Sequence, residues 1–260
     1  MNRANIEKIA QNPEDRLLLA KVWDKINGGI RKNIPVNTFF LSLREQELCR
    51  YLFGEAQGLY FFGGCQEAER KLLCYLPDYL EPEYLEQEPP LCCLRAEFFQ
   101  GDSLSHRDFL GALMGIGIAR ETVGDIFVGK GSCDFFVTEE IAPFLLQSFR
   151  EVGRTKISLK QVPLSELSTP EPEVKEVRDT LASLRLDSVI SAGFRIGRSA
   201  ASQYVTAGKA AIDGLPCEKP DKQVGEGMKI SVRGLGKIKI HSVNGQTKKG
   251  RISVVIHRYV

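Results

Sequence analysis

The sequence has 260 residues, room for one to three domains, and its 43% hydrophobic content excludes a disordered chain. The formal net charge of +2 hides a division: residues 181–260 hold 14 Lys/Arg against 5 Asp/Glu (net +9), and residues 1–180 hold 21 against 28 (net −7). A basic module on an acidic body points to a polyanionic partner, the alternative being a basic surface kept for solubility, and no small-molecule substrate is expected. The first twenty residues lack the apolar stretch of a signal peptide, and the uncharged run from Phe109 to Ala119 is too short to cross a bilayer, so a cytoplasmic protein with no membrane contact is expected. The seven cysteines, at 49, 65, 74, 92, 93, 133 and 217, include no Cys-x-x-Cys pair, which argues against zinc and for reduced thiols.

In chain order, residues 1–76 read as a small α/β unit. Leu17, Leu18, Val22 and Ile26 follow Pro13 at the spacing of an amphipathic helix, which Gly28-Gly29 is expected to end. "SLREQELCRYLFG" repeats the pattern, "LYFFGG" reads as a buried strand, and "QEAERKLLCYL" as another helix. Residues 77–165 read as strand ("LCCLRAEFF"), helix with Ser105 as N-cap, strand ("DIFV"), turn, strand ("CDFFV"), helix ("TEEIAPFLLQSFREVG") and closing strand ("RTKISLKQV"). That β-α-β-β-α-β order is the split βαβ pattern of ferredoxin-like and RRM-like domains. Residues 166–179, rich in proline and carboxylates, read as a linker, and 180–260 as a separate basic module. The expected fold class is therefore α+β with three small domains.

Two partial motifs are set aside. Gly124, Gly129-Lys130 and Gly131 approach a phosphate-binding loop, but Gly131 stands where Ser or Thr would hold magnesium, and a strand follows where a helix should begin; a hairpin turn is expected. Arg185-Leu186-Asp187 is the centre of a pseudouridine-synthase-like stretch whose flanks are missing. His106, His241 and His257 are widely separated and suggest no catalytic pairing.

The basic module opens on "RLDSVISAGFRIGRSAASQYVTAGKAAIDG". Arg198 to Ala207 has the pattern of a short helix whose small residues allow close packing against a helix carrying Leu184, Leu186, Val189 and Ile190. Arg195 and Arg198 flank its start, where free backbone amides already favour anions, and guanidinium forks match phosphate oxygens. Ser199 and Gln203 lie beside them, Lys209 follows the helix and Arg185 precedes the pair. Beyond Gly214 come strand-like runs whose cations at 229, 233, 237, 239, 251 and 258 alternate with apolar residues. Helix and sheet cations together are expected to form one positive surface that reads RNA shape and phosphates, since few aromatics are available for stacking.

These residues resemble the S-four RNA-binding domain, named for the small-subunit ribosomal protein. Arg185-Leu186-Asp187, Arg198-Ser199 and Gly208-Lys209 match its pattern, which the sequence leaves at Asp213, where the family's Asn would supply a polar RNA contact, and at Met228, in a turn. "FFGGCQEAERKLLCYLP" and "LGALMGIGIARETVGDIFV" are similar to the body of the YlmH family of bacterial S-four proteins. The resemblance implies a cytoplasmic, ribosome-associated RNA-binding protein acting on large subunits that carry stalled peptidyl-tRNA, in ribosome quality control, with a gene neighbourhood tied to cell division. Two functions follow for comparison. One is a non-catalytic adaptor, with no cofactor or metal, that grips rRNA or tRNA through Arg185, Arg195, Arg198, Ser199, Gln203, Lys209, Arg233 and Lys237. The other is an RNA-modifying enzyme with the module as a targeting arm, for which Arg120, Glu121 and Asp125 are the nearest catalytic candidates.

Overall fold

A short helix α1 (Ile6–Ile9) leads into α2 (Pro13–Lys32), which does not stop at the glycines expected to end it. Asn12 caps its start, accepting the Asp15 amide, and Asn33 at φ 51° ends it in the left-handed conformation. Gly29 is inside the helix because the strand packs there: a Cβ would lie 2.4 Å from a Val36 methyl. The computed structural model describes residues 5–167, 174–246 and 250–259, and the chain divides into two units, 1–170 and 171–260.

In the first unit β1 (Val36–Leu41), α3 (Leu43–Phe53, with a Ser42/Glu45 capping box), β2 (Leu59–Phe62) and β3 (Lys71–Tyr75) follow. The strands form an antiparallel sheet in the order β1-β3-β2. "KLLCY" is thus a central strand, not the helix expected. Leu72 and Cys74 bury on one face and Leu73 on the other, and an apolar run buried on both sides carries no period to separate strand from helix.

After α4 (Tyr84–Gln87) come β4 (Cys92–Glu97), α5 (His106–Gly115), β5 (Val123–Val128), β6 (Ser132–Val137), α6 (Ala142–Ser148), the hairpin strands β7 (Glu151–Val152) and β8 (Thr155–Lys156), and β9 (Ser158–Val162). The four-stranded sheet runs β5-β6-β4-β9, with α5 and α6 packed on Leu94, Ala96, Phe135 and Leu159 of one face. Gly129–Gly131 is the hairpin turn, with Gly131 at φ 79°. "REVG", expected to end a helix, enters β7 instead.

The opposite face of this sheet is not free. Cys93, Phe136 and Val162 form one core with Phe40, Leu72 and Cys74 of the first sheet, so residues 1–76 and 77–165, expected as separate domains, share an interior within one unit. Glycine makes the approach possible: a Cβ on Gly124 would lie 2.7 Å from the Phe40 ring and 2.8 Å from the Phe136 Cβ. Polar groups cross the same seam. The Arg70 guanidinium donates to the carbonyls of Phe40, Arg120 and Val123, and Asp125 accepts the amides of Glu69 and Arg70. Burial, with Arg120 nearby, pulls the Arg70 pKa down to about 10.

The second unit begins earlier than expected. Residues 174–179 of the supposed linker belong to β10 (Val174–Leu181), paired along its whole length with β15 (Ile252–Tyr259). Its apolar partners, Val177 and Leu181, are four apart among charges, too sparse to read as a strand. Residues 168–173 lie outside the described chain. Helices α7 (Leu186–Phe194) and α8 (Arg198–Thr206) follow, then β11 (Ala210–Ile212), β12 (Leu215–Pro216), β13 (Lys229–Val232) and β14 (Gly236–Gln246). The antiparallel sheet runs β10-β15-β14-β13-β11-β12. Leu186, Val189, Ile190, Ala201 and Val205 of the helices cover Ile230, Ile238, Ile240, Val254 and Ile256 of one sheet face.

Candidate nucleic-acid interface

Helix α7 ends at Arg195, which takes φ 55° where glycine is the usual choice. Ser191 Oγ donates to the Ile196 carbonyl (2.7 Å) and fixes the turn, and Gly197 starts α8 without a side-chain cap. The first amides of α8 therefore have no side-chain cap, and Arg195 and Arg198, which flank them in the sequence, are both exposed. Ser199 and Gln203 continue the exposed face, while Ala201 and Val205 are buried opposite.

Asp187 organises the start of the helix pair. Its carboxylate is buried and accepts Arg185 Nε and Nη2 (3.2 and 3.1 Å), Arg198 Nε (3.3 Å) and Ser188 Oγ (3.2 Å). Burial pushes the Asp187 pKa up, but the two guanidinium hydrogen bonds and their charges outweigh it and leave it below the ordinary carboxylate value. Arg198 spends only Nε on this pair and keeps 57% of its side chain exposed, so its terminal nitrogens can bind an anion. Arg185 uses two nitrogens and is less open, at 34%. The carboxylate of the Arg-Leu-Asp triplet is thus tied to Arg185 and Arg198 and buried from solvent.

At the other end of α8, the Lys209 ammonium rests 5.5 Å from the Tyr204 ring centre, and the Lys209 carbonyl accepts the Arg233 amide from the β13–β14 turn. Arg185, Arg195, Arg198, Ser199, Gln203, Lys209 and Arg233 so gather on and around the helix pair. Lys237 does not join them. It alternates with Ile238, which faces the helices, and it stands on the opposite sheet face beside Tyr259. Lys229 and Lys239, directly paired across β13 and β14, share that outer face with the stacked rings of His241 and His257. The single positive surface expected from the alternation is two surfaces, because the sheet lies between them. Of the alternating strand cations, Arg258, which is not among the eight contacts expected to grip RNA, belongs to the helix side: it shares its strand face with Ile256 and lies 5.3 Å over the Phe194 ring. The strand alternation of β15 carries that signal.

Asp213 is used by the fold. At φ 47°, followed by Gly214, it makes the two-residue turn between β11 and β12, and its carboxylate accepts the Lys229 amide (2.8 Å). The candidate catalytic group in the first unit is likewise occupied: Arg120 donates to the Val123 and Gly124 carbonyls, and Asp125 accepts the amides of Glu69 and Arg70, a staple across the seam. Glu121 lies in a single 3-10 turn. Among the described residues no cluster of His, Cys, Asp and Glu could hold a metal ion, and no helix is long and apolar enough to cross a membrane.

Residues 97–166 match the family model described as "Putative RNA-binding domain in YlmH". The chain is 35% identical, over 223 residues, to the "Ribosome-associated protein quality control protein P2" of Bacillus subtilis (strain 168), covering 85% of this chain and 86% of that protein. The solved "Cell division protein ylmH from Streptococcus pneumoniae" superposes with a TM-score of 0.50 at 20% identity, over 60% of this chain and 96% of that one, a likeness of fold. The extent and identity of the Bacillus match place this chain in the YlmH family.

Proposed function

We propose that the protein is a cytoplasmic, non-catalytic RNA-binding adaptor of the ribosome, and that residues 171–260 are an S-four-type domain that grips structured rRNA or tRNA. The grip is made by the helix side: Arg195 and Arg198 at the open start of α8, Ser199 and Gln203 along it, Lys209 and Arg233 at its far end, with Arg185 bracing Arg198 through Asp187. Lys237 contributes from the other sheet face and so meets a different stretch of polyanion. The observation that carries this reading is that α8 starts without a side-chain cap between two exposed arginines, Arg195 and Arg198, an arrangement suited to phosphate. The similarity to a ribosome-associated quality control protein supports ribosome-associated RNA binding, and the large subunit with stalled peptidyl-tRNA is the site of action this reading assigns.

Sedimentation of the chain with purified large subunits tests it. The wild type is expected to co-migrate, and Arg195→Gly with Arg198→Ala to remain at the top of the gradient while folded. Co-migration of the double variant, or of residues 1–170 alone to the same degree, would refute the reading.

A further inference from the structure

In RRM-like domains the sheet face opposite the helices offers aromatic side chains to bases. Here that face is spent on the core with the first sheet, so residues 97–166 cannot bind RNA in that way. Their exposed chemistry gathers elsewhere, at one end of the four-stranded sheet. β4 ends there at Glu97, which pairs with Ser132 at the start of β6 and with Ser158 at the start of β9. Three connections therefore emerge side by side: the loop after β4, the β5–β6 turn and the β7–β8 hairpin, whose Arg150 carbonyl accepts the Ile157 amide just before β9.

The loop after β4 carries Phe98 and Phe99 with opposite fates. Phe98 packs on Phe109 in the core; Phe99 is 76% exposed, the most open large apolar side chain among the described residues. Its ring is nevertheless held. It lies over Gly101, where a Cβ would come within 2.4 Å of it, and the Asp102 amide closes a turn on the Phe99 carbonyl. The β5–β6 turn is tied to this loop by the Phe98 amide on the Gly131 carbonyl, and it presents Lys130. The hairpin adds Arg150, Arg154 and Lys156, all exposed. Among the described residues no ion pair engages these cations, while the nearby Glu97 is matched by Lys160; Asp102 and Glu151 are the remaining acids. A fixed, solvated aromatic face flanked by cations is the arrangement that holds single-stranded nucleic acid, through stacking and phosphate contact.

We propose that this end of the sheet binds unpaired RNA, with a base stacked on Phe99 and neighbouring phosphates held by Lys130 and the hairpin cations. It shares the RNA-binding reading of the C-terminal unit in ligand class only, and is a second site with a different preference.

The test titrates a short fluorescein-labelled oligouridine with the full chain and follows anisotropy. Phe99→Ala is expected to weaken binding about tenfold, the loss of one stacked base, and Phe99→Trp to retain it. Lys130→Ala with Arg154→Ala is expected to flatten the salt dependence by about 1.4 in log–log slope. Arg195→Gly with Arg198→Ala is the control: it should spare oligouridine and weaken a structured RNA, so either site can fail alone. Since Phe99 is exposed, its variants keep their circular dichroism spectrum. No binding of oligouridine, or equal affinity for wild type and Phe99→Ala, would overturn the proposal. So would self-association in sedimentation velocity that Phe99→Ala abolishes, which would make this a protein contact.

Discussion

Asp187 is the residue on which the helix side depends. Its carboxylate is 5% exposed and satisfied by two arginines, so Asp187→Ala should cost ~1–2 kcal/mol, moderated because both arginines reach solvent. A carboxyl whose folded pKa lies below its unfolded value stabilises the fold fully above that unfolded value, 3.8, and loses the contribution as pH falls through the folded one. Urea denaturation of wild type and Asp187→Asn should therefore differ at neutral pH and converge in acid below about pH 4. Arg195 invites the opposite experiment. At φ 55° glycine is less strained, so Arg195→Gly should leave the melting temperature equal or higher while it weakens structured-RNA binding. A stability loss as large as the binding loss would mean that Arg195 serves the fold. At this scale the sequence was legible wherever a short helix fixed the spacing: Arg198, Ser199 and Gln203 fall on one exposed face as their intervals require. Arg185 was less so, because its side chain turns back onto Asp187, two residues on, instead of outward, and Lys237 fell on the far side because only the packing of Ile238 decides which strand face is inner.

Elements were legible where one face is polar. α2, α3, α5 and the α7–α8 pair all carry one-sided patterns, and two of them begin with capping boxes. β3 was hidden because both its faces are apolar, and β10 because its buried apolar residues, Val177 and Leu181, are four apart among charges and the strand is recruited by β15. The β10 pairing makes a direct prediction. A fragment starting at residue 180 strips the edge from β15 and should aggregate or melt broadly, whereas one starting at 171 should unfold cooperatively. Equal behaviour of the two fragments in thermal denaturation would show β10 to be dispensable. The seam between the two sheets of the first unit gives another. Gly124→Ala places a methyl against the Phe40 ring and the Phe136 Cβ, and overpacking of this kind should cost ~1–3 kcal/mol, read as a lowered urea midpoint.

On the scale of the whole molecule, the net charge of +2 conceals an acidic 1–180 and a basic 181–260, and it is the second that the structure organises into a helix-side and an outer-face set of cations. The three expected domains become two units because nothing in a sequence announces that two sheets will bury their faces against each other; Gly64, Gly124 and Phe136 record it only once the packing is known. RNA binding through the helix side is the central claim, and counterion release measures it most directly. Affinity for a structured RNA is followed against salt concentration, for the wild type and for Arg195→Gly with Arg198→Ala. Five phosphate-bound cations predict a log–log slope of about −4 to −5, falling by about 2 in the double variant. A slope near zero, or one unmoved by the substitutions, would contradict it.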